Sequence, residues 1–232
     1  LNNLIDVICL FALVAGMAAS LGTGTLTIAG GIQNVFGIKS NPTLWAAVIA
    51  VIVITFVTSS VSGIMNGIRI LSDINAKAYM ILFVFLIIFG PTAFMLNFSV
   101  ESYGAYLRDF LPMSLSTGEI FGESWARSWP VFYWCNWMSW TPITAIFLAK
   151  ILRGYTIKDA IRCNFIIPSI FSTVWMGIFA SSAIYYEMNG DGLYELMQSS
   201  GTESVVYAVL EHMPFAMILI VFYLFIVFIS FV

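Results

Sequence analysis

The chain has 232 residues, of which 60% are hydrophobic and 9% are charged, and its net charge is −3. A soluble domain carries about 25% charged residues. So little charge, with a mean hydropathy of +0.96, indicates a protein that lies in lipid. The negative net charge argues against a nucleic-acid partner. Three cysteines without a CxxC spacing, beside a single histidine, argue against a disulfide framework or a zinc site.

Six apolar stretches are long enough for membrane-spanning helices, which need about 20 mostly apolar residues. They lie at about 4–32, 43–64, 76–97, 129–150, 161–186 and 213–232. A segment at about 100–127 mixes aromatic and charged residues, and we interpret it as an amphipathic stretch on the membrane surface. We therefore expect an all-α polytopic membrane protein. Neither end of the chain carries a boundary signal, so we expect residues 1–232 to be a single transmembrane domain that is incomplete at both ends.

Basic residues are distributed unequally between the loops on the two sides of these spans. One set of loops holds Arg69, Lys77, Lys150, Arg153, Lys158 and Arg162, and the other holds Lys39, Arg108 and Arg127. By the positive-inside rule, the richer set marks the cytoplasmic side. The first span then runs from inside to outside, and the other spans alternate in direction.

The first span contains the small-residue sequence GMAASLGTGTLTIAGG. Gly16, Ser20 and Gly24 follow one another at intervals of four, a spacing that lets two helices pack closely in a membrane. In the alternative interpretation, the hydroxyls of Ser20, Thr23 and Thr25 offer oxygen ligands to an ion or a substrate.

The fourth span is the most aromatic part of the chain and begins with the sequence SWPVFYWCNWMSW. Phe132, Trp137 and Trp140 are expected near one face of this helix. Aromatic faces attract cations and form cages around quaternary ammonium groups, so one interpretation is a binding site for such a group. Packing, or an aromatic belt at the membrane surface, is the other interpretation.

A proline lies in the middle of the same span. Pro142 has no N–H, so the carbonyl of Met138 loses its helical partner, and we expect a locally loosened helix there. Ser139 and Thr141 flank this point. A free carbonyl at membrane depth is tolerated only where it faces protein or a water-filled cavity, which favours a binding site beside the rings.

The fourth span and the loop after it resemble the signature region of the betaine/choline/carnitine transporter family. The residues that match the family pattern in order and without a gap are Trp129, Phe132, Tyr133, Trp134, Trp137, Ser139, Trp140, Pro142, Phe147, Ala149, Arg153, Gly154, Thr156 and Ile157. The segments GIRILSDINAKAYMILFVFLIIFGPT and AASLGTGTLTIAGGI are also similar to family segments. The resemblance therefore covers essentially the whole chain.

This resemblance implies that the chain comprises transmembrane helices five to ten of a twelve-helix, inverted-repeat (LeuT-like) transporter fold. It implies secondary active transport, by alternating access, of a quaternary-ammonium or related compatible solute of the glycine betaine, choline or carnitine type. The implied location is the plasma membrane, in bacteria the inner membrane, and the implied partners are the lipid bilayer and a zwitterionic or cationic small solute. Family members are often trimeric, which makes a homotrimer one expectation, with the segment at 100–127 as a candidate contact.

The substrate-binding residues implied by the resemblance all lie on the fourth span. They are Phe132, Tyr133, Trp134, Asn136, Trp137 and Trp140. Trp137 matches the principal cage ring of the family most directly. Asn136 departs from the pattern, because the family usually has a tryptophan there. This departure keeps open an altered, more polar substrate or a re-shaped cytoplasmic exit.

The resemblance leaves the coupling ion open. Leu13, Met17 and Ile143 stand where sodium-coupled members have two hydroxyls and a phenylalanine, so we expect that sodium site to be absent. Ser20 and Ser230 are candidate neighbours of an ion site. We expect no resident metal or cofactor, and coupling to Na⁺ and ion-independent exchange both remain as alternatives. A membrane-embedded enzyme or a receptor is disfavoured, because the spans contain essentially no acids, bases or metal ligands, and no residue is assigned a catalytic role.

Overall fold

The structure, a computed structural model, describes the backbone of residues 2–61 and 64–231 and the side chains of residues 4–58, 61 and 70–231. Every regular element in these ranges is a helix, which confirms the all-α prediction. Arg69, which contributes to the charge bias between the loops, lies outside the described side chains.

Eleven α-helices lie in the described ranges. They are α1 Asn2–Phe36, α2 Pro42–Val61, α3 Ile64–Phe89, α4 Thr92–Ser114, α5 Glu123–Ala126, α6 Phe132–Ile151, α7 Ile157–Ile161, α8 Ile167–Met188, α9 Leu193–Ser200, α10 Ser204–Glu211 and α11 Ala216–Ser230. Two π-helical turns of five residues each, Arg127–Val131 and Arg162–Ile166, lead directly into α6 and α8.

Three of the described helical stretches are long and apolar enough to cross a membrane, namely Leu4–Phe36, Ile70–Phe89 and Ile157–Met188. Two shorter stretches, Pro42–Thr58 and Ala216–Ser230, are also apolar. Helix α6, which covers the fourth predicted span, is in neither group, because its many tryptophan, tyrosine and polar residues lower its mean hydropathy. The arrangement of six spans stays a prediction.

The helix of the third predicted span, about 76–97, ends near Pro91. Helix α3 stops at Phe89, and α4 begins at Thr92 after a Gly-Pro pair. Pro91 cannot donate a backbone hydrogen bond and disfavours helical backbone in the residue before it. The Thr92 hydroxyl donates to the carbonyl of Ile87, which would otherwise have lost its partner. Helix α4 then continues to Ser114 and includes the first half of the predicted surface segment.

The chain divides into two compact units. One consists of Leu1–Ser20 and Val100–Val174, and the other of Leu21–Ser99 and Trp175–Val232. Most of the buried apolar side chains belong to the second unit, where α3 and α10 pack against α11. Its fully buried members include Leu82, Leu86, Met95, Val209, Leu210 and Ile226. Helix α6, which carries the candidate site, belongs to the first unit.

The loop after α6 is defined by local backbone chemistry. The N–H of Leu152 donates to the carbonyl of Leu148 and closes the last turn of α6. Gly154 then adopts a φ of +92°, which favours glycine. Thr156 caps α7, because its hydroxyl accepts from the Asp159 N–H while the Asp159 carboxylate accepts from the Thr156 N–H. These local bonds define the turn between α6 and α7.

Candidate functional site on helix α6

Helix α6 is preceded by a π-helical turn that the sequence pattern did not reveal. The N–H of Phe132 donates to the carbonyl of Arg127, five residues earlier, instead of four. Pro130 lies inside this turn and has no N–H, so the regular α-helical bonding is interrupted there. The proline next to the first tryptophan of the span was the available signal. π-helical turns inside helices are frequent at functional sites.

Three of the rings at the start of α6 form a cluster. Trp129 and Tyr133 are stacked, with ring centroids 6.1 Å apart and an angle of 4° between their planes. Phe132 meets Tyr133 edge to face, at 5.4 Å and 89°. Trp134 points elsewhere, because its Nε1 donates to the carbonyl of Ser114 at 3.3 Å. The structure thus brings two of the predicted substrate-binding residues, Phe132 and Tyr133, into one aromatic group.

Trp137 and Trp140 are in different surroundings. Trp137 is 64% exposed. Trp140 is half-buried and lies against Gly16 of α1. No ring contact joins either of them to Phe132 in the described part of the chain. A closed cage made by these three residues alone is therefore absent there, although the exposed faces of Phe132 and Trp137 remain accessible.

The loosening expected at Pro142 does not interrupt helix α6. Helix α6 stays α-helical from Phe132 to Ile151 with Pro142 inside it, and the irregular turn lies before the helix instead. Two hydroxyls beside the proline bond their own backbone. Ser139 Oγ donates to the carbonyl of Asn136 at 2.7 Å, and Thr141 Oγ1 donates to that of Trp137 at 3.0 Å. Both hydroxyl protons are therefore used inside the helix.

Asn136 is half-buried between the two exposed tryptophans of its turn. Its carbonyl accepts the bond from Ser139. Its side-chain amide makes no hydrogen bond to any other described residue, so one donor group and one acceptor remain for another partner. Its role toward a substrate stays a prediction.

The small residues of α1 do admit close neighbours, as their spacing predicted, but the neighbours are aromatic rings and not a helix backbone. Trp140 lies against Gly16, and the ring of Phe231 lies against Gly24. Thr25 is buried and its hydroxyl donates to the carbonyl of Leu21 at 2.7 Å, so packing accounts for it. Ser20 is exposed.

Ser20 and Ser230 are the two residues predicted to neighbour an ion site. Ser230 Oγ donates to the carbonyl of Ile226 at 2.9 Å and accepts from the amide of Asn75 at 3.0 Å. Within the described residues, no group of three or more His, Cys, Asp or Glu side chains is placed to hold a metal ion. The roles proposed for Ser20 and Ser230 stay predictions.

A charged pair lies on α4. Arg108 donates two hydrogen bonds to the Asp109 carboxylate on α4, from Nε at 3.0 Å and from Nη2 at 2.7 Å. These bonds lower the pKa of Asp109 and raise that of Arg108. Both side chains face solvent, so the pair contributes little to stability.

Comparison with known proteins identifies the group to which this sequence belongs. It is 32% identical over 220 residues to the glycine betaine transporter OpuD of Bacillus subtilis (strain 168), with 94% of this chain and 42% of that protein covered. It is 31% identical over 225 residues to the ectoine/hydroxyectoine transporter of Virgibacillus pantothenticus, with coverages of 97% and 45%. It is 31% identical over 215 residues to the high-affinity choline transport protein of Escherichia coli (strain K12), with coverages of 92% and 32%.

All three relatives are named as transport proteins and none as an enzyme. The chain spans less than half the length of each of them. The model of the betaine/carnitine/choline family transporters matches residues 1–232, so the resemblance noted in the aromatic span extends along the whole sequence. The chain therefore belongs to the betaine/carnitine/choline family of transporters.

Proposed function

We propose that the protein of which this chain is part carries a quaternary-ammonium or related compatible solute across a membrane by alternating access. Membership of the family supports transport. The relatives are named for glycine betaine, choline and ectoine, which are small cationic or zwitterionic solutes. The substrate class is supported by the run of rings from Trp129, in the π-helical turn, to Trp140 on α6.

The chemistry of α6 suits a permanently methylated cation. No Asp or Glu occurs between Trp129 and Lys150, so this helix offers no carboxylate to a substrate. A quaternary ammonium group has no N–H to donate, and ring faces bind it through their quadrupole. The exposed face of Trp137 supplies such a surface. We assign Trp137 as the principal ring, with Phe132, Tyr133, Trp134, Asn136 and Trp140 around the site or along the substrate path.

The test is uptake of radiolabelled glycine betaine, choline, carnitine and ectoine by proteoliposomes that contain the full-length protein. We expect Trp137→Ala to raise the KM about two- to fivefold, since a cation–π contact at an exposed ring contributes about 0.5–1 kcal/mol. Trp125→Ala is the matched control, because Trp125 packs on Phe121 outside α6. Equal uptake by Trp137→Ala and the wild-type protein would contradict the assignment.

The same vesicles test the coupling ion. An inward Na⁺ gradient that accelerates uptake identifies Na⁺ coupling. Uptake that depends only on solute preloaded inside the vesicles identifies ion-independent exchange, which is the second candidate mechanism. The observation that favours exchange is the presence of Leu13, Met17 and Ile143 at positions where sodium-coupled members have hydroxyls and a ring.

The proposal includes the location and assembly of the protein. Apolar helices and family membership indicate a membrane protein, and we propose the plasma membrane, multi-pass, as its location. We also propose a homotrimer, with the segment at 100–127 as the contact. Fractionation of membranes and the mass of the detergent-solubilised protein, measured by light scattering, test these two points.

A further inference from the structure

Gly16 lies where the indole of Trp140 meets α1. Gly16 is buried, and a Cβ atom placed on it would be 2.9 Å from Nε1 and 3.1 Å from Cε2 of Trp140. Real Cβ atoms essentially never come within 3.0 Å of another heavy atom, so no residue larger than glycine fits beside the ring as it stands. The indole edge therefore rests directly on the backbone of α1.

Trp140 also borders open space along α6. The cleft measures about 310 Å³, a size in the range of small-molecule sites, and it is lined by Trp140, Ile143, Thr144, Ile146, Phe147 and Lys150. A ring pressed away from α1 would change the shape of this cleft, because Trp140 both contacts Gly16 and lines the cleft.

We propose that Gly16 is a positioning residue for Trp140, and that it sets the size of the ammonium group that the transporter accepts. This inference rests on the proposed function. A methyl group at position 16 displaces the indole toward the substrate side and narrows the site. Trimethylated ammonium groups then lose more affinity than dimethylated ones, because they are wider.

The chain offers a matched control on the same helix. A Cβ atom on Gly22 would have nothing within 4 Å, whereas one on Gly16 meets the indole. Both changes to alanine remove the same conformational freedom and favour the helix by a similar amount. A difference between Gly16→Ala and Gly22→Ala therefore reports the contact with Trp140 and not a general effect on α1.

The first measurement is ¹⁹F NMR of the full-length protein labelled with 5-fluorotryptophan. The resonance of Trp140 is assigned as the one that is lost in Trp140→Phe. We expect Gly16→Ala to move this resonance and Gly22→Ala to leave it in place. An unmoved resonance in Gly16→Ala overturns the contact. This measurement does not depend on transport.

The second measurement compares uptake of glycine betaine with that of dimethylglycine in proteoliposomes. In Gly16→Ala we expect the KM for betaine to rise roughly tenfold, since a misplacement of about 1 Å in a binding site can cost up to about a hundredfold. The KM for dimethylglycine should rise clearly less. The double variant Gly16→Ala/Trp140→Phe should return the ratio of the two KM values to that of Trp140→Phe alone, because a phenyl ring is shorter than an indole.

Each outcome has a separate meaning. A moved resonance with an unchanged KM ratio overturns the role in substrate size. A changed ratio that the double variant does not restore also overturns it, because the effect then does not pass through Trp140. If the wild-type protein takes up none of the ammonium solutes, the proposed function fails together with the size role, while the NMR result still decides whether Gly16 positions the ring.

Discussion

The side-chain amide of Asn75 on α3 donates a hydrogen bond of 3.0 Å to the hydroxyl of Ser230 on α11. This bond joins two helices through residues that are 155 positions apart in the sequence. The hydroxyl of Tyr79, one turn further along α3, lies 3.4 Å from the same oxygen. The Oδ1 atom of Asn75 is buried and has no partner in the described part of the chain. Asn75, Tyr79 and Ser230 therefore form a small polar cluster in the contact between α3 and α11.

We predict that Asn75 and Ser230 are energetically coupled. Hydrogen bonds between helices in membrane proteins average about 0.6 kcal/mol and reach about 1.7 kcal/mol. A double-mutant cycle with Asn75→Ala and Ser230→Ala should give a coupling energy of roughly 0.5–1.5 kcal/mol in unfolding by denaturing detergent. Thr55→Ala combined with Asn75→Ala is the control cycle, since the Thr55 hydroxyl donates to the carbonyl of Val51 within its own helix. We expect no coupling energy in this control. A coupling energy near zero would show that the bond contributes nothing to the helix contact.

Tyr207 of α10 makes a second link, to the C-terminal third of α1. Only 1% of the residue is exposed, and its hydroxyl donates to the carbonyl of Thr27 at 2.5 Å. Burial, strengthened by the nearby Tyr223 and Glu203, raises the pKa of the Tyr207 phenol well above its ordinary value. The folded protein therefore holds this side chain in its neutral form.

This burial predicts a dependence of stability on alkaline pH. The raised pKa means that Tyr207 stays neutral in the folded state, while in the unfolded chain it loses its proton above its ordinary pKa of about 10. The advantage of the wild-type protein over Tyr207→Phe, about 1 kcal/mol for one hydrogen bond, is fully present below pH 10 and shrinks as the pH rises further. Thermal unfolding of both proteins between pH 7 and 11 measures this difference.

Tyr194→Phe is the control for that experiment, because Tyr194 is exposed. Removing the Tyr194 hydroxyl should change neither the stability at pH 7 nor the dependence of stability on pH above pH 10. A gap between the wild-type protein and Tyr207→Phe that stays constant over the whole pH range would contradict the buried, neutral state of Tyr207.

The sequence predicted those parts of the fold that depend on local composition. The helical class follows from apolar runs. The capped turn after α6 was not predicted, although its glycine, threonine and aspartate are a readable signal for a turn and an N-cap. The π-helical turns were not predicted, because a proline such as Pro130 indicates an interruption but not its form. The partner of Gly16 was not predictable either. Trp140 follows it by more than a hundred residues, and spacing within one helix carries no information about which ring a glycine admits.

The features of the candidate site also separate into those that the sequence predicts and those that depend on tertiary packing. The aromatic character of α6 is readable in the sequence, and so is the substitution at Asn136. The directions of the rings are not, because Trp134 is oriented by a carbonyl on α4 and Trp140 by the backbone of α1. Those contacts arise from tertiary packing.

The capping box at the start of α7 gives a prediction of local stability. Thr156→Ala removes the side-chain oxygen that accepts from the Asp159 N–H at 3.2 Å. N-cap threonines contribute about 1 kcal/mol, so we expect a loss of that size in the free energy of unfolding. Thr156→Ser keeps the hydroxyl and should retain most of the stability. Equal losses in both variants would mean that the methyl group, and not the cap, is what matters.

Replacing the residue that departs from the family pattern tests the substrate class most directly. Asn136 has a side-chain amide without a described partner and lies beside the exposed Trp137. Asn136→Trp adds a ring face next to the proposed ammonium site, and one partly exposed cation–π contact contributes about 0.5–1 kcal/mol. We therefore expect the KM for glycine betaine to fall about two- to fivefold in proteoliposome uptake. Asn136→Gln keeps an amide without adding a ring and should leave the KM for glycine betaine unchanged. If Asn136→Trp leaves the KM unchanged or raises it, the amide is not what limits betaine binding, and the re-shaped cytoplasmic exit becomes the better explanation of this residue.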